Sequence, residues 1–189
     1  MFFEDVVAQA RGRRLLSAEH FTVDATLLEA WAGQKSFKRK DQPNKSPDDP
    51  GNPTINLVVD ACVVAGTGTG ERDAAIGLVA GLPPRRVTVG GNKGYGTRGF
   101  VETLRNLGAT PHVALKAMSR TLDRRTTGHA GYDISQRVRK RIEEIFGWMK
   151  TIGGLRKLRH RGGARVNWQF LLASAAYNLV RMRTLETAS

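Results

Sequence analysis

The stretch from residue 86 to residue 115 constrains the fold most. A short apolar run, residues 86–89, leads into Gly90-Gly91-Asn92-Lys93-Gly94-Tyr95-Gly96, where glycine permits the close backbone approaches that such a loop needs. Thr97 then offers an oxygen to cap a helix, Leu107-Gly108 puts glycine in the usual stop position, and residues 111–115 form a second apolar run. Strand, helix and strand in this order predict an α/β sheet with parallel pairs in the second half of the chain. A short helix over residues 71–80 precedes the unit and is closed off by Pro83-Pro84.

Upstream, residues 2–16 mix apolar side chains with Arg and Glu in a helical arrangement, and Phe21-Thr22-Val23 is a β-type run ending at Asp24. A carboxylate is thereby expected at a strand end, although Asp24 taken alone suits the cap of a following helix better. Residues 34–56 are rich in Lys, Asp, Pro, Asn and Gly, bury too little apolar surface to order themselves, and read as a loop. Leu57-Val58-Val59-Asp60-Ala61-Cys62-Val63-Val64 is apolar on both faces, which predicts a strand inside a covered sheet. Further on come a basic loop (residues 120–131), one strong helix (135–149), a basic connector (153–163) and a long buried helix (166–185).

A chain of 189 residues fills one core, so residues 1–189 read as a single domain. Its formal charge is +13, and residues 120–165 carry +9 of it, 13 Lys and Arg against 4 Asp and Glu. Such a face attracts a polyanion, and nucleic acid is the expected partner. Cys62 is the only cysteine, which excludes a disulfide framework and a cysteine-built zinc site and suits a reducing, cytoplasmic setting. The most apolar stretch, residues 166–182, is interrupted by Asn167, Gln169, Ser174 and Asn178, so no membrane partner is expected. His20, His112, His129 and His160 have no metal-ligand spacing, while Trp148 and Trp168 fit helix packing better than base stacking.

On the helix over residues 135–149, Val138, Ile142, Ile145, Phe146 and Met149 share one stripe and mark the core. Gln136, Arg139, Glu143 and Lys150 gather on one flank of it, where Glu143 can face a cleft. Glu144 points the other way with Lys140, as for a surface ion pair.

The run Arg139-Lys140-Arg141-Ile142-Glu143 with Lys150 resembles the Arg, three residues, Glu, six residues, Lys signature of DDE transposases of the insertion-sequence-five type. The stretch from Phe21 through Asp24-Ala25-Thr26-Leu27 to Trp31 is similar to the same family, as are Lys93-Gly94-Tyr95, Ile145-Phe146-Gly147-Trp148-Met149-Lys150, Gly154-Leu155-Arg156-Lys157, Arg159-His160-Arg161-Gly162 and Ala176-Tyr177-Asn178-Leu179-Val180-Arg181. The resemblance implies a ribonuclease-H-like fold, a mixed sheet flanked by helices, in which three carboxylates hold Mg²⁺ or Mn²⁺ for attack on a phosphodiester. It matches Asp24 to the first carboxylate and Glu143 to the third. It implies DNA as the partner, both transposon ends and target, in a nucleoid-associated setting, with a homodimer or an association with an intact transposase expected.

The second carboxylate does not match. The family places Asp immediately before Lys-Gly-Tyr, and this chain has Asn92; no Asp or Glu lies between Asp73 and Glu102 to replace it. Asp24, Asn92 and Glu143 are thus the candidate catalytic and metal-binding residues, with metal binding and cleavage expected to be weakened. Gly96 stands where the family has Asp, and Gln136 where it has Tyr. Between Gly51-Asn52-Pro53-Thr54 and Leu57, relatives carry a segment supplying the middle strand of the first β-meander, so part of that meander is expected to be missing, with residues 34–56 a loop at a deletion junction. The usual N-terminal domain is also expected to be lacking. The alternative is a DNA-binding remnant without chemistry, or an inhibitor of an intact transposase. Arg156, Lys157, Arg159, Arg161 and Arg165, together with Arg139 and Lys150, are the candidate DNA-binding residues, suited to phosphate contacts that read no sequence.

Overall fold

A computed structural model describes residues 1–26, 28, 57–84, 86–115 and 121–187. The loop expected over residues 34–56, including the junction at residues 51–54, lies outside them, as does Trp31. Among the described residues the α-helices and strands follow in the order α1 (Phe2–Gly12), β1 (His20–Val23), α2 (Gly70–Ala80), β2 (Val87–Gly91), α3 (Arg98–Asn106), β3 (Ala109–Val113), α4 (Arg124–Thr127), α5 (Ala130–Val138), α6 (Ile142–Thr151) and α7 (Gly163–Thr187).

The three strands form a sheet of order β1-β2-β3, parallel throughout, with Phe21 opposite Val89 and Val89 opposite Pro111. Val87, Val89 and Val113 point to one face, where Ala75 and Val79 of α2 and Phe100, Val101 and Leu104 of α3 complete the core. Thr97 caps α3 through its side chain, which accepts from the Phe100 N–H, and Gly108 follows the helix at φ +75. The opposite face carries His112, whose Nδ1 lies 2.8 Å from Ser135 Oγ on α5. The predicted strand–helix–strand unit is therefore present, with β3 ending two residues earlier than its sequence suggested.

Burial holds the His112 ring below the ordinary imidazole pKa, and the neighbouring His20 and His129 push it the same way. The folded state then binds this proton less readily than the unfolded chain, so the stability is full above the ordinary value of about 6.5 and is lost as pH falls below it. Thermal unfolding between about pH 7 and pH 5 should show this acid-side loss, and His112→Gln should flatten it.

Residues 57–64 do not form the expected strand. They run along α7, where the Asn178 amide captures one peptide residue on both sides: its Oδ1 accepts from Val58 N–H at 2.8 Å and its Nδ2 donates to Val58 O at 2.7 Å. Asn167 Oδ1 accepts from Val63 N–H at 2.9 Å. A helix surface with two well-placed amides replaces the sheet ladder, and this diversion leaves the described sheet without the antiparallel pair that a mixed sheet requires.

The helix expected over residues 135–149 is broken. α5 and α6 are separated by a 3₁₀ turn at Arg139–Arg141. The basic stretch after residue 120 is not wholly loop either, because Asp123 Oδ1 accepts from Thr126 N–H at 2.8 Å and caps α4. A second core lies between α6, the connector and α7, built from Ile145, Met149, Leu155, Leu158, Val166 and Phe170. Trp148 packs edge-on against Tyr177 at 5.5 Å. Glu144 lies toward Tyr177 and makes no ion pair among the described residues, contrary to its expected pairing. α1 covers another part of α7 with Phe3, Val6, Val7 and Ala10 against Ala175 and Met182. One side of α7 stays open, since Trp168, Leu172, Leu179 and Val180 are exposed, which corrects the reading of a wholly buried helix. Among the described residues no helix is long and apolar enough to cross a membrane.

Candidate functional site

Parallel strands end on the same edge of a sheet, and this is what brings Asp24 and Asn92 together: each follows immediately on the paired residues Val23 and Gly91. Asn92 Nδ2 donates to Asp24 Oδ1 at 2.7 Å, and the same carboxylate oxygen accepts from Ala25 N–H at 2.9 Å. The last bond reaches only the next residue, and the helix that Asp24 is expected to cap falls on residue 27 and residues 29–56, outside the described residues. Tyr95 packs beneath, its phenol pushed well above the ordinary tyrosine range by burial and by the adjacent Asp24 charge. Glycine at residue 91 leaves room for this ring, because a Cβ there would stand 3.3 Å from both Tyr95 Cβ and Val113 Cγ1 and force one of them to give way.

Burial raises the Asp24 pKa; the bonds from Ala25 and Asn92 work against it, and Glu143 adds to it while Arg139 opposes. Both α-helical Glu143 and the Arg139 turn are therefore within electrostatic reach of Asp24. Arg139 is held by Gln136, whose Oε1 accepts from Arg139 Nε at 3.0 Å while its Nε2 donates to the His112 carbonyl of β3. Gln136 thus ties α5 to the sheet and orients the arginine. Lys150, two turns beyond Glu143 on α6, is half-buried.

Arg72 carries no sequence signal of a role, yet it belongs to this edge. Its guanidinium donates to Gly68 O at 2.8 Å and to Gly94 O at 3.4 Å, clamping the loop that carries Asn92 against α2. A lone arginine in a short helix does not announce a reach across 22 residues.

The geometry decides whether the three candidates suit divalent metal. Asn92 Oδ1 accepts from Gly94 N–H at 2.7 Å while its amide nitrogen faces Asp24. Reversing the amide would set its oxygen against the Asp24 oxygen and its NH₂ against a backbone N–H, so the two neighbours fix the orientation. The middle position consequently presents a hydrogen-bond donor where a metal requires an oxygen. Among the described residues no group of three His, Cys, Asp or Glu side chains is placed to hold a metal ion. Asp24, Asn92 and Glu143 as they stand do not fit a two-metal centre.

Away from this edge, Arg156, Lys157, Arg159, Arg161 and Arg165 are all exposed on the connector and the start of α7. Buried Leu155 and Leu158 alternate with them and anchor the connector, a pairing of apolar anchors with outward cations that the basic composition hid.

Residues 102–183 match the family model described as a transposase DDE domain. The match spans less than half of the chain; it contains Arg139, Glu143, Lys150 and the basic connector, and excludes Asp24 and Asn92. It supports a relationship to DDE transposases and a transposition-related function. No curated protein and no solved structure matches the chain.

Proposed function

We propose that the protein is a DNA-binding derivative of a DDE transposase of the insertion-sequence-five type whose strand-cleaving chemistry is impaired. The observation that carries this reading is the Asn92 amide: it donates to Asp24 at the place where transposase chemistry calls for a further carboxylate oxygen. Asp24 Oδ1 already accepts from two N–H donors without metal. Cleavage and transfer of DNA ends, the activity of the lineage, would require Mg²⁺ or Mn²⁺ held by oxygen ligands, and among the described residues this site offers only the Asp24 and Glu143 carboxylates. What remains is the basic face. Arg156, Lys157, Arg159, Arg161 and Arg165 supply phosphate contacts, with Arg139 beside the Asp24 edge and Lys150 farther along α6 as further cations. Such a protein would occupy transposon ends or target DNA, alone or beside an intact transposase, without cutting.

The test is a salt titration of DNA binding together with a nicking assay on supercoiled plasmid. Binding should fall steeply with salt and depend little on sequence, and replacing Arg156, Lys157 and Arg159 together by Ala should flatten the salt slope by about 3. Nicking by the wild-type chain should stay at background with either metal. Salt-insensitive binding would remove the basic face from the account, and robust metal-dependent nicking would remove the impairment.

A further inference from the structure

We propose that Trp168 and the cavity beside it form a pocket for a single unpaired DNA base, set within the basic face; this rests on the DNA-binding reading above. Trp168 sits in the second turn of α7 and is 58 % exposed, whereas Trp148 is half-buried against Tyr177. A cavity of about 280 Å³ lies against it, lined by His160, Ala164 and Arg165. Ala164 is one turn before Trp168 and Arg165 three residues before it, so the small side chain and the guanidinium share the side of the helix that the indole occupies. Ala164 is too short to cover the ring.

No side chain of His160, Arg165 or Trp168 forms a hydrogen bond or ion pair among the described residues, which leaves the indole N–H, the imidazole and the guanidinium available. An open indole beside the Arg165 guanidinium suits a ligand with both a flat π-face and a negative charge. In duplex DNA the base faces are hidden by their neighbours; an unpaired base exposes one, and its flanking phosphates can meet Arg165 and His160. The rival occupant is a second copy of this chain, because Leu172 and Leu179 continue the exposed stripe along α7. The charge favours the base: residues 120–165 carry +9, which attracts a polyanion and repels a second, equally basic copy.

Fluorescence anisotropy on three labelled probes of one sequence decides between them: a single strand, a fully paired duplex, and a duplex with one looped-out base. The single strand and the looped duplex should bind more tightly than the paired duplex. Trp168→Ala should weaken both by roughly ten-fold, with less than about a two-fold effect on the paired duplex, and Trp168→Phe should retain most of the preference. Because the side chain is exposed, circular dichroism should show the variants folded. Equal behaviour of wild type and Trp168→Ala on all probes, while the triple alanine variant of the connector loses binding, overturns the pocket and leaves the DNA reading intact. No binding of any probe by the wild type at low salt overturns both. A dimer in sedimentation that Trp168→Ala converts to monomer, without a change in probe preference, assigns the face to self-association instead.

Discussion

Replacing Asn178 by Ala is expected to lower the stability of the protein by about 3 kcal/mol, since the half-buried N–H and C=O of Val58 each lose a partner at a cost of about 1 kcal/mol and the apolar packing of its segment loosens with them. Asn178 has no exposed surface, and its side chain is bonded to both polar groups of Val58. The segment it holds contributes Leu57, Val58, Ala61 and Val63 to the packing of α7, so its release also uncovers apolar surface from two clusters. Urea unfolding should show the loss, and for a chain of this size the melting temperature should fall by roughly 10 °C. Asn178→Asp should be as harmful or worse: it keeps the acceptor for Val58 N–H, loses the donor to Val58 O and buries a charge. Leu179→Ala, next in sequence but exposed, should change stability by no more than about 0.5 kcal/mol. A small effect at Asn178, equal to that at Leu179, would mean that residues 57–64 are not fastened to α7.

That anchor shows where sequence reading stops. An octapeptide apolar on both faces satisfies the requirement for a central strand, and it satisfies equally well the requirement for a strap lying in a groove. What separates the two is the source of its hydrogen-bond partners, here Asn178 and Asn167 more than a hundred residues away. In the sequence the same two asparagines only interrupt an apolar run and speak against a membrane span. The unit from β2 to β3 is legible because its signals are local: valines in the strands, Thr97 as cap, Gly108 as stop. The placement of Asp24 and Asn92 follows from it, since parallel strands put their following residues on one edge. The break between α5 and α6 is not legible, because the periodicity runs through it; the Gln136 bond to the His112 carbonyl and its hold on Arg139 are tertiary contacts. The exposure of Trp168 escapes the sequence for a related reason. Helical spacing says which residues share a face, and the open side of α7 is set by what packs on the other sides.

Asn92→Asp is expected to destabilise the protein in metal-free buffer and to make it respond to Mg²⁺ or Mn²⁺, to which the wild type should be indifferent. One oxygen of the new carboxylate can still accept from Gly94 N–H, as Asn92 Oδ1 does now. The other takes the place of a donor that lies 2.7 Å from Asp24 Oδ1, with Glu143 adding a third negative charge nearby. Losing that hydrogen bond and setting two carboxylates against each other should together cost about 2–4 kcal/mol at the dielectric of a half-buried site. A divalent cation relieves the repulsion by accepting both oxygens, and at a hundredfold excess over its dissociation constant it would return about 2.7 kcal/mol. Thermal shift with and without metal measures the effect directly. Asp24→Asn in the same background should abolish the metal response while restoring metal-free stability, a combination that general loosening of the fold would not produce. If Asn92→Asp is unaffected by either ion, Asp24, residue 92 and Glu143 are not a ligand set and the assignment of the site fails. If the metal stabilises the variant and plasmid nicking appears, Asn92 alone had silenced the chemistry. Stabilisation without nicking would place a second fault elsewhere in the chain.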